Sequence, residues 1–232
     1  MERAHEELAL TQMRKSVEKL GSSTESFGDP TLMRFLIARA MDPEKAGKMF
    51  VQWRQWRAAF VPLGYIPDSE VPDELESRKI CLQGLSKNGL PVMIVREFLV
   101  HLLDKTLASS FKGGEIGNEK LIGILDLQHM SYKNIDARAL ITGAQFLQAY
   151  YPERLAKFYL LHMPLFFVAV WKLVSRFLEK ATLEKIMIVS NEEERLQFIR
   201  EVGEDVLPEE YGGNSNFVAM QDVVVNPLAV EG

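Results

Sequence analysis

The rhythm of apolar positions changes along the chain. Residues 2–20 are charged throughout, with Leu8, Met13, Val17 and Leu20 recurring on one side of a predicted helix. Residues 21–28 are rich in Ser and Gly and read as a loop. Asp29-Pro30 and Asp42-Pro43 then announce two helix starts. Aspartate at the cap accepts orphan amide protons, and proline just inside has none to lose. In the second of these helices Ala46, Met49, Phe50, Trp53 and Phe60 make one apolar face. Residues 61–76, with three prolines and several acids, form a connection.

From residue 79 the pattern becomes short apolar runs separated by helical segments. KICLQGL (79–85) and PVMIVRE (91–97) are predicted strands flanking Ser86-Lys87-Asn88-Gly89, a hairpin turn. A helix is predicted over 99–111, a glycine-containing loop over 112–120, and a central strand over 121–127, LIGILDL. A helix over 135–150, a strand over 158–163, a helix over 165–178, a strand over 186–190 and a helix capped by Asn191 follow. The tail beyond Asn214 is expected to be loosely held. Strands alternating with helices after an opening hairpin imply an α/β fold: a helical N-terminal lobe (1–75), a mostly parallel five-stranded sheet flanked by helices (76–214) and a C-terminal tail (215–232).

The stretch 150–185 organises the rest. Its middle, from Phe158 to Trp171, holds no Asp, Glu, Lys or Arg, while Glu153, Arg154, Thr182 and Lys185 bracket it. It is too short for a transmembrane helix, and Pro164 interrupts it. A helix apolar almost all round is buried or meets something greasy. Apolar surface beside ionic groups points to a lipid.

Composition narrows the picture modestly. Net charge is −5, so no global basic field favours nucleic acid. The single Cys81 excludes an intrachain disulfide and is read as an inert core thiol. With no signal-peptide pattern, no glycine at position 2 and no terminal prenylation cysteine, a cytoplasmic protein without a covalent anchor is expected. No nucleophile elbow, zinc helix or Walker loop is present, so no enzyme is expected. Gly113, Gly114 and Gly117 precede a strand rather than a helix and read as a flexible loop rather than a phosphate loop. His5, His101, His129 and His162 are scattered, with no metal-site spacing, and His162 reads as a satisfied core histidine.

Glu153 and Lys185 each stand just before a predicted strand, so a parallel sheet would place both where strands begin. A surface or structural salt bridge is one reading. The other is a polyol-phosphate site: the carboxylate accepts hydroxyl protons and the ammonium donates to phosphate or hydroxyl. Thr182 adds a hydroxyl one helical turn before Lys185. Spacing alone leaves both readings standing.

LMRFLIAR, DPEKAGKMF, QWR, NGLPV, ILDL, YYPERLAKFYLLHMP, WKLVSRFLEKATLEKI and LPEEYGG together resemble the CRAL-TRIO lipid-binding family over about residues 30–213, most of all its short plant members. The resemblance implies a helical lobe on an α/β lobe with a hydrophobic pocket, and a gate helix at 165–178. It implies an inositol-headgroup site at Arg39, Glu153, Arg154, Thr182 and Lys185. Gate and pocket residues would be Phe166, Phe167, Val170, Trp171 and Val174, with Phe166, Phe167 and Trp171 divided between bilayer contact and core lining. Leu82, Met93, Leu121 and Gly123 stand where the family's yeast founder, a phosphatidylinositol/phosphatidylcholine transfer protein, has polar choline-lipid contacts; choline-lipid binding in that mode is not expected. Ala40 replaces a lysine next to the matching arginine, and the connection 96–99 is short for the family.

The implied function is a non-enzymatic, monomeric, cytoplasmic phosphatidylinositol transfer protein. It needs no cofactor beyond its bound phospholipid, docks transiently on membranes and exchanges lipid or presents it to a lipid kinase; a second lipid is not specified. The alternative is a carrier or sensor of a sterol, tocopherol or retinoid, for which the four apolar positions would make the pocket wall. A protein-interaction scaffold is a third class.

Overall fold

The computed structural model describes residues 2–61, 80–95, 117–128, 130–132, 135–219 and 222–223. Three helices come first: α1 (Glu2–Lys19), α2 (Asp29–Ala38) and α3 (Pro43–Phe60). Asp42 caps α3 as its sequence predicts, accepting from the amides of Glu44 and Lys45 at 3.1 and 3.0 Å. Asp29 does not cap α2. Gly28 holds the cap position without a side-chain bond, and Asp29 instead takes Arg14 Nη2 at 2.7 Å. The nearby guanidinium competes successfully for the carboxylate, because an ionic hydrogen bond is the stronger one.

The three helices bury Leu10, Met13 and Val17 of α1, Leu32, Phe35 and Leu36 of α2, and Met49, Phe50 and Trp53 of α3. Edge-to-face contacts join Phe35 and Phe50 (5.3 Å between centroids) and Phe27 and Phe50 (5.0 Å). The sequence expectation for α1 was one register off at its ends. Leu8 and Leu20 are exposed, and Ala9 and Leu10 take the buried stripe. Phe60, also expected on the core face of α3, is 61% exposed and stacks on Trp56.

The sheet has five strands in the order β1-β2-β3-β4-β5: β1 (Ile80–Leu85), β2 (Pro91–Val95), β3 (Leu121–Asp126), β4 (Leu155–Leu161) and β5 (Ile186–Val189). The first pair is antiparallel across the Asn88-Gly89 turn; the others are parallel. Helices α4 (Ala137–Tyr150), α5 (Phe167–Val174), α6 (Lys180–Leu183) and α7 (Glu192–Val202) accompany β3 to β5. Side chains alternate across the pleat. Met93, Leu121, Leu125 and Leu160 face α4 and α5, whereas Val92, Ile122, Ile124, Tyr159 and Leu161 face α7.

β4 starts earlier than the expected Phe158 and ends at Leu161. Lys157 disguises its beginning: the residue is in the strand, but its ammonium reaches out to Glu201 at 3.9 Å. The expected helix over 165–178 is α5 followed by a 3-10 turn, Ser175–Phe177. Asn191 caps α7 as expected, accepting from the Glu194 amide. The described tail residues, 215–219 and 222–223, make contacts with the domain. Pro208 and Ser215 form a bridge, Phe217 packs on Tyr211, and Val223 touches the sheet cluster. The predicted helix over 99–111, the connection 96–99, Gly113, Gly114, His101 and His129 lie outside the described residues.

Three carboxylates tie elements together. Asp126, at the end of β3, is buried beside His162 Nδ1 (2.9 Å) and accepts from Tyr211 Oη (2.9 Å) and the Gln128 amide (2.9 Å). His162 is satisfied, but it stands just past β4 with an exposed ring rather than in the core. Burial pushes the Asp126 carboxyl up; the bonds from His162, Gln128 and Tyr211 outweigh it and hold the carboxyl below its usual range. The same balance holds Glu119 low through Arg154 and backbone amides, and Glu201 low through Tyr159 and Gln197. All three therefore bind a proton more weakly in the folded chain than in the unfolded one. Their contribution is complete above the ordinary values of 3.8 and 4.5 and is lost as pH falls through the lower folded values. The melting temperature should be level from pH 7 to about 5 and drop steeply below about 4.5. Thermal melts followed by circular dichroism across this range check it, and a melting temperature unchanged down to about pH 3 would contradict it.

Candidate functional site

Between the sheet and helices α4 and α5 lies a cavity of about 240 Å³. Its floor is Met93, Leu121, Leu125, Phe158 and Leu160 of the sheet. Leu140, Ala144 and Leu147 of α4 form one wall, and Phe167, Trp171, Val174 and Leu178 form the other. One end is polar: Gln148, Glu153, Arg154, Glu179, Thr182 and Lys185 meet there. A long apolar chamber with polar groups gathered at one end suits an amphiphile.

The polar end follows from the parallel sheet. β4 and β5 begin side by side, so the residues just before them converge. Lys185 Nζ donates to Glu153 Oε2 at 3.0 Å. The Lys185 carbonyl also accepts from the Phe158 amide at 2.8 Å, which ties that turn to β4. Thr182 stands one turn earlier, its carbonyl accepting from the Lys185 amide at 3.1 Å. Glu153 adopts a left-handed backbone, φ 55°, a conformation that disfavours side chains other than Asn and Asp. Such strain persists only where the surroundings enforce it. Here Tyr151-Pro152 turn the chain off α4, and Arg154 is pinned immediately after.

Arg154 is pinned by Glu119. Its Nη1 donates to Glu119 Oε2 at 2.6 Å and to the Glu119 carbonyl at 2.9 Å, with the two side chains only 8% and 7% exposed. The Arg154 carbonyl accepts from the Leu121 amide at 2.9 Å. Arg154 touches the cavity, yet its charge is already answered.

Arg39, expected beside Glu153, is at the C-cap of α2 and pairs with Glu179 at 3.2 Å. It reaches the cavity end from the helical side, next to lining residue Ala38. The same corner is fastened by Gln148. Its Nε2 donates to the Phe177 carbonyl at 3.1 Å, and its Oε1 accepts from the Glu179 amide at 2.7 Å. Both bonds hold the end of the α5 segment onto α4.

The expected wall residues divide. Leu82, Met93, Gly123, Phe158 and Ile186 are successive partners in one row across the sheet. Met93 and Leu121 line the cavity, whereas the side chain of Leu82 lies outside the described residues. Gly123 is roofed by the Phe158 ring, whose nearest atom would be 2.5 Å from an added Cβ. Of the gate residues, Phe167, Trp171 and Val174 line the cavity and Val170 packs beside them. Phe167 is only 4% exposed and is on the lining side of that division, whereas Phe166 is 37% exposed. Leu165 is 92% exposed and takes that outward position, with Phe166, Leu173, Phe177 and Tyr132 also exposed. The cause is the turn at Pro164, whose carbonyl accepts from the Phe167 amide and starts the helix two residues late.

Sequence reasoning missed Gln148, Glu119, Glu179 and Lys120. Lys120 Nζ lies 3.5 Å from Glu153 Oε2, the oxygen that also takes Lys185. Its position, a lysine immediately before a buried strand, is the same signal that singled out Lys185. Gly117, expected in a flexible loop, instead packs tightly on Thr31 of α2. Among the described residues no cluster of three or more His, Cys, Asp or Glu could hold a metal ion. No helix among them is long and apolar enough to cross a membrane.

Comparison with known proteins agrees with this architecture. The chain belongs to the CRAL/TRIO domain family, whose model matches residues 75–213. It is 28% identical over 239 residues to the Sec14 cytosolic factor of Schizosaccharomyces pombe, covering 90% of this chain and 82% of that one. It is 28% identical over 212 residues to the phosphatidylinositol/phosphatidylcholine transfer protein SFH12 of Arabidopsis thaliana, covering 79% of this chain and 39% of that longer one. The crystal structure of Sfh5 has the same fold, with TM-score 0.65 and 14% identity over 98% of this chain and 94% of that one.

Two predictions follow from this geometry. Gly123→Ala forces a methyl into the Phe158 ring and should cost about 1–3 kcal/mol of stability, measured by urea denaturation. Gln148→Leu removes both bonds to the 177–179 corner, so hydrogen exchange at the Glu179 amide should accelerate about tenfold or more. Unchanged protection there would show that the corner is held by something else.

Proposed function

We propose that this protein binds phosphatidylinositol and transfers it between membranes, with no catalytic step. The observation that carries the reading is the polar end of the apolar cavity, where Glu153, Thr182 and Lys185 converge. Glu153 gives one carboxylate oxygen to Lys185 and has the other without a partner among the described residues, available to a ring hydroxyl. Lys185 and Thr182 supply donors suited to phosphate oxygens. The acyl chains would lie along the Met93–Leu160 floor, under α5. The names of the relatives, cytosolic factors and phosphatidylinositol/phosphatidylcholine transfer proteins, support the same direction.

Hiding acyl chains from water is worth about 0.8 kcal/mol per buried CH₂, so a loaded lipid does not leave into solution. Exchange needs the cavity to open against a bilayer, where the chains stay in hydrocarbon. The exposed Leu165, Phe166, Leu173 and Phe177 offer that contact, and α5 is the wall that would swing. Presentation of the lipid to a lipid kinase belongs to this proposal.

A second reading, carriage of a sterol, tocopherol or retinoid, draws on the sheet floor itself, which is apolar from Met93 through Leu160. Lipid that co-purifies with the protein separates the two: a phosphorus-containing ligand supports the first and a neutral isoprenoid the second. Glu153→Gln and Lys185→Met should each lower phosphatidylinositol transfer between vesicles about tenfold or more, as loss of a charge-assisted hydrogen bond removes about 1.5–3 kcal/mol. Thermal melts verify that both variants fold. Transfer at the wild-type rate by both would remove the headgroup site.

A further inference from the structure

We propose that the outward side of the α5 segment is a docking face for an anionic bilayer leaflet, with Lys172 and Arg176 as the residues that read its charge. This rests on the exchange reading above, in which α5 opens against a membrane. From residue 165 to residue 177 the exposed positions are Leu165, Phe166, Ala169, Lys172, Leu173, Arg176 and Phe177. Steps of three and four residues put such positions on one side of a helix. Between them, Phe167, Trp171 and Val174 turn to the cavity and Val170 packs beside it. The outward stripe therefore mixes apolar side chains with cations only.

Tyr132 widens the stripe. It is 79% exposed, and its ring meets that of Phe166 edge-on at 6.4 Å between centroids. A tyrosine has an apolar body and a polar tip, which suits the boundary between headgroups and acyl chains.

No Asp or Glu occurs between Glu153 and Glu179. The charges just past the stripe are answered: Glu179 takes Arg39 at 3.2 Å and Lys180 takes Glu184 at 3.8 Å. Lys172 and Arg176 form no ion pair among the described residues, so salt bridging does not account for them. Each stands immediately before an exposed apolar residue, Leu173 or Phe177. A leaflet accommodates that pairing, because Leu and Phe enter the acyl boundary while the long Lys and Arg stems keep their charges at headgroup level.

Charge decides the occupant. The chain as a whole carries −5, so an anionic surface repels most of the molecule and attracts it only through a local basic face. Docking is thereby oriented: the wall that opens is the part that meets the bilayer. A second copy of the chain, seated on the same stripe about a symmetry axis, would set these cations against their own counterparts. A leaflet containing phosphatidylserine complements them instead.

The test is flotation of the full chain with vesicles of phosphatidylcholine alone and of equal phosphatidylcholine and phosphatidylserine, beside an assay of phosphatidylinositol transfer between phosphatidylcholine vesicles. Each cation held at an anionic surface raises partitioning about fivefold, so the wild type should favour the anionic vesicles about tenfold or more. Lys172→Gln combined with Arg176→Gln should bring the two within about twofold, while Lys172→Arg keeps the preference. Leu165→Gln should lower binding to both kinds of vesicle alike, and thermal melts verify that the variants fold. A wild-type preference in the double variant, or no preference in the wild type, overturns the inference. So does a dimer in solution that Leu165→Gln dissolves, because the face then belongs to a second copy. The transfer assay separates the underlying reading. Transfer without charge preference removes only the anionic docking face; charge preference in a wild type that transfers no lipid removes the transfer reading and keeps the face.

Discussion

The polar end of the cavity depends on the buried ion pair of Arg154 and Glu119. The pair joins the turn before β4 to the lead-in of β3; the Gly117 amide donating to the Glu119 carboxylate and the Leu121 amide donating to the Arg154 carbonyl close the frame. Gly117 in turn packs on Thr31, so the same frame braces the sheet against α2. Leaving either charge without its partner in so dry a place costs about 3–5 kcal/mol. With Arg154 immobile, the chain one residue earlier has little choice. Glu153 is held in a left-handed conformation beside the cavity, where Lys185 and Lys120 meet it.

Ionic groups next to an apolar chamber would ordinarily be unfavourable. Here every described cation at the polar end has a carboxylate within 3.5 Å, so the arrangement is balanced by its own pairs. Arg154 is the structural member, buried with Glu119. Arg39 and Glu179 are more exposed, and the Gln148 contacts beside them fasten the same corner of the α5 segment. Charge pairing and closure of the chamber therefore meet at one place. The far side of the sheet is covered by α7 and the turn that carries Tyr211.

Gly123 and Phe158 illustrate how the floor is made. A row of register partners crosses the sheet from Leu82 to Ile186, and the glycine allows the aromatic ring of the next strand to lie over it. The floor is consequently apolar at its middle, and the polar groups gather where β3, β4 and β5 begin and at the Gln148–Glu179 corner. That separation of greasy and ionic surface, more than any single side chain, is what gives the cavity its amphiphilic character.

Much of this was legible in the sequence for local reasons. Turn residues, caps and apolar period act over a few positions, so the hairpin at Asn88-Gly89, the caps at Asp42 and Asn191, the parallel strands and the placement of Glu153 and Lys185 at strand starts could all be read directly. The misreadings share a different cause. Asp29 left its cap for Arg14, Lys157 hid the start of β4, and the turn at Pro164 delayed the start of α5. Each was decided by a partner distant in sequence or by the exact angle of a turn. Glu179 and Gln148 carry no local signature at all; they matter because α2 and α4 bring them to one corner. The sequence by itself determined the elements, their order and the kind of chemistry at the strand starts, because these depend on near neighbours. Which charge answers which, and which apolar side chain faces the cavity, was settled only by tertiary packing, because Coulomb and dispersion forces act through space and not along the chain.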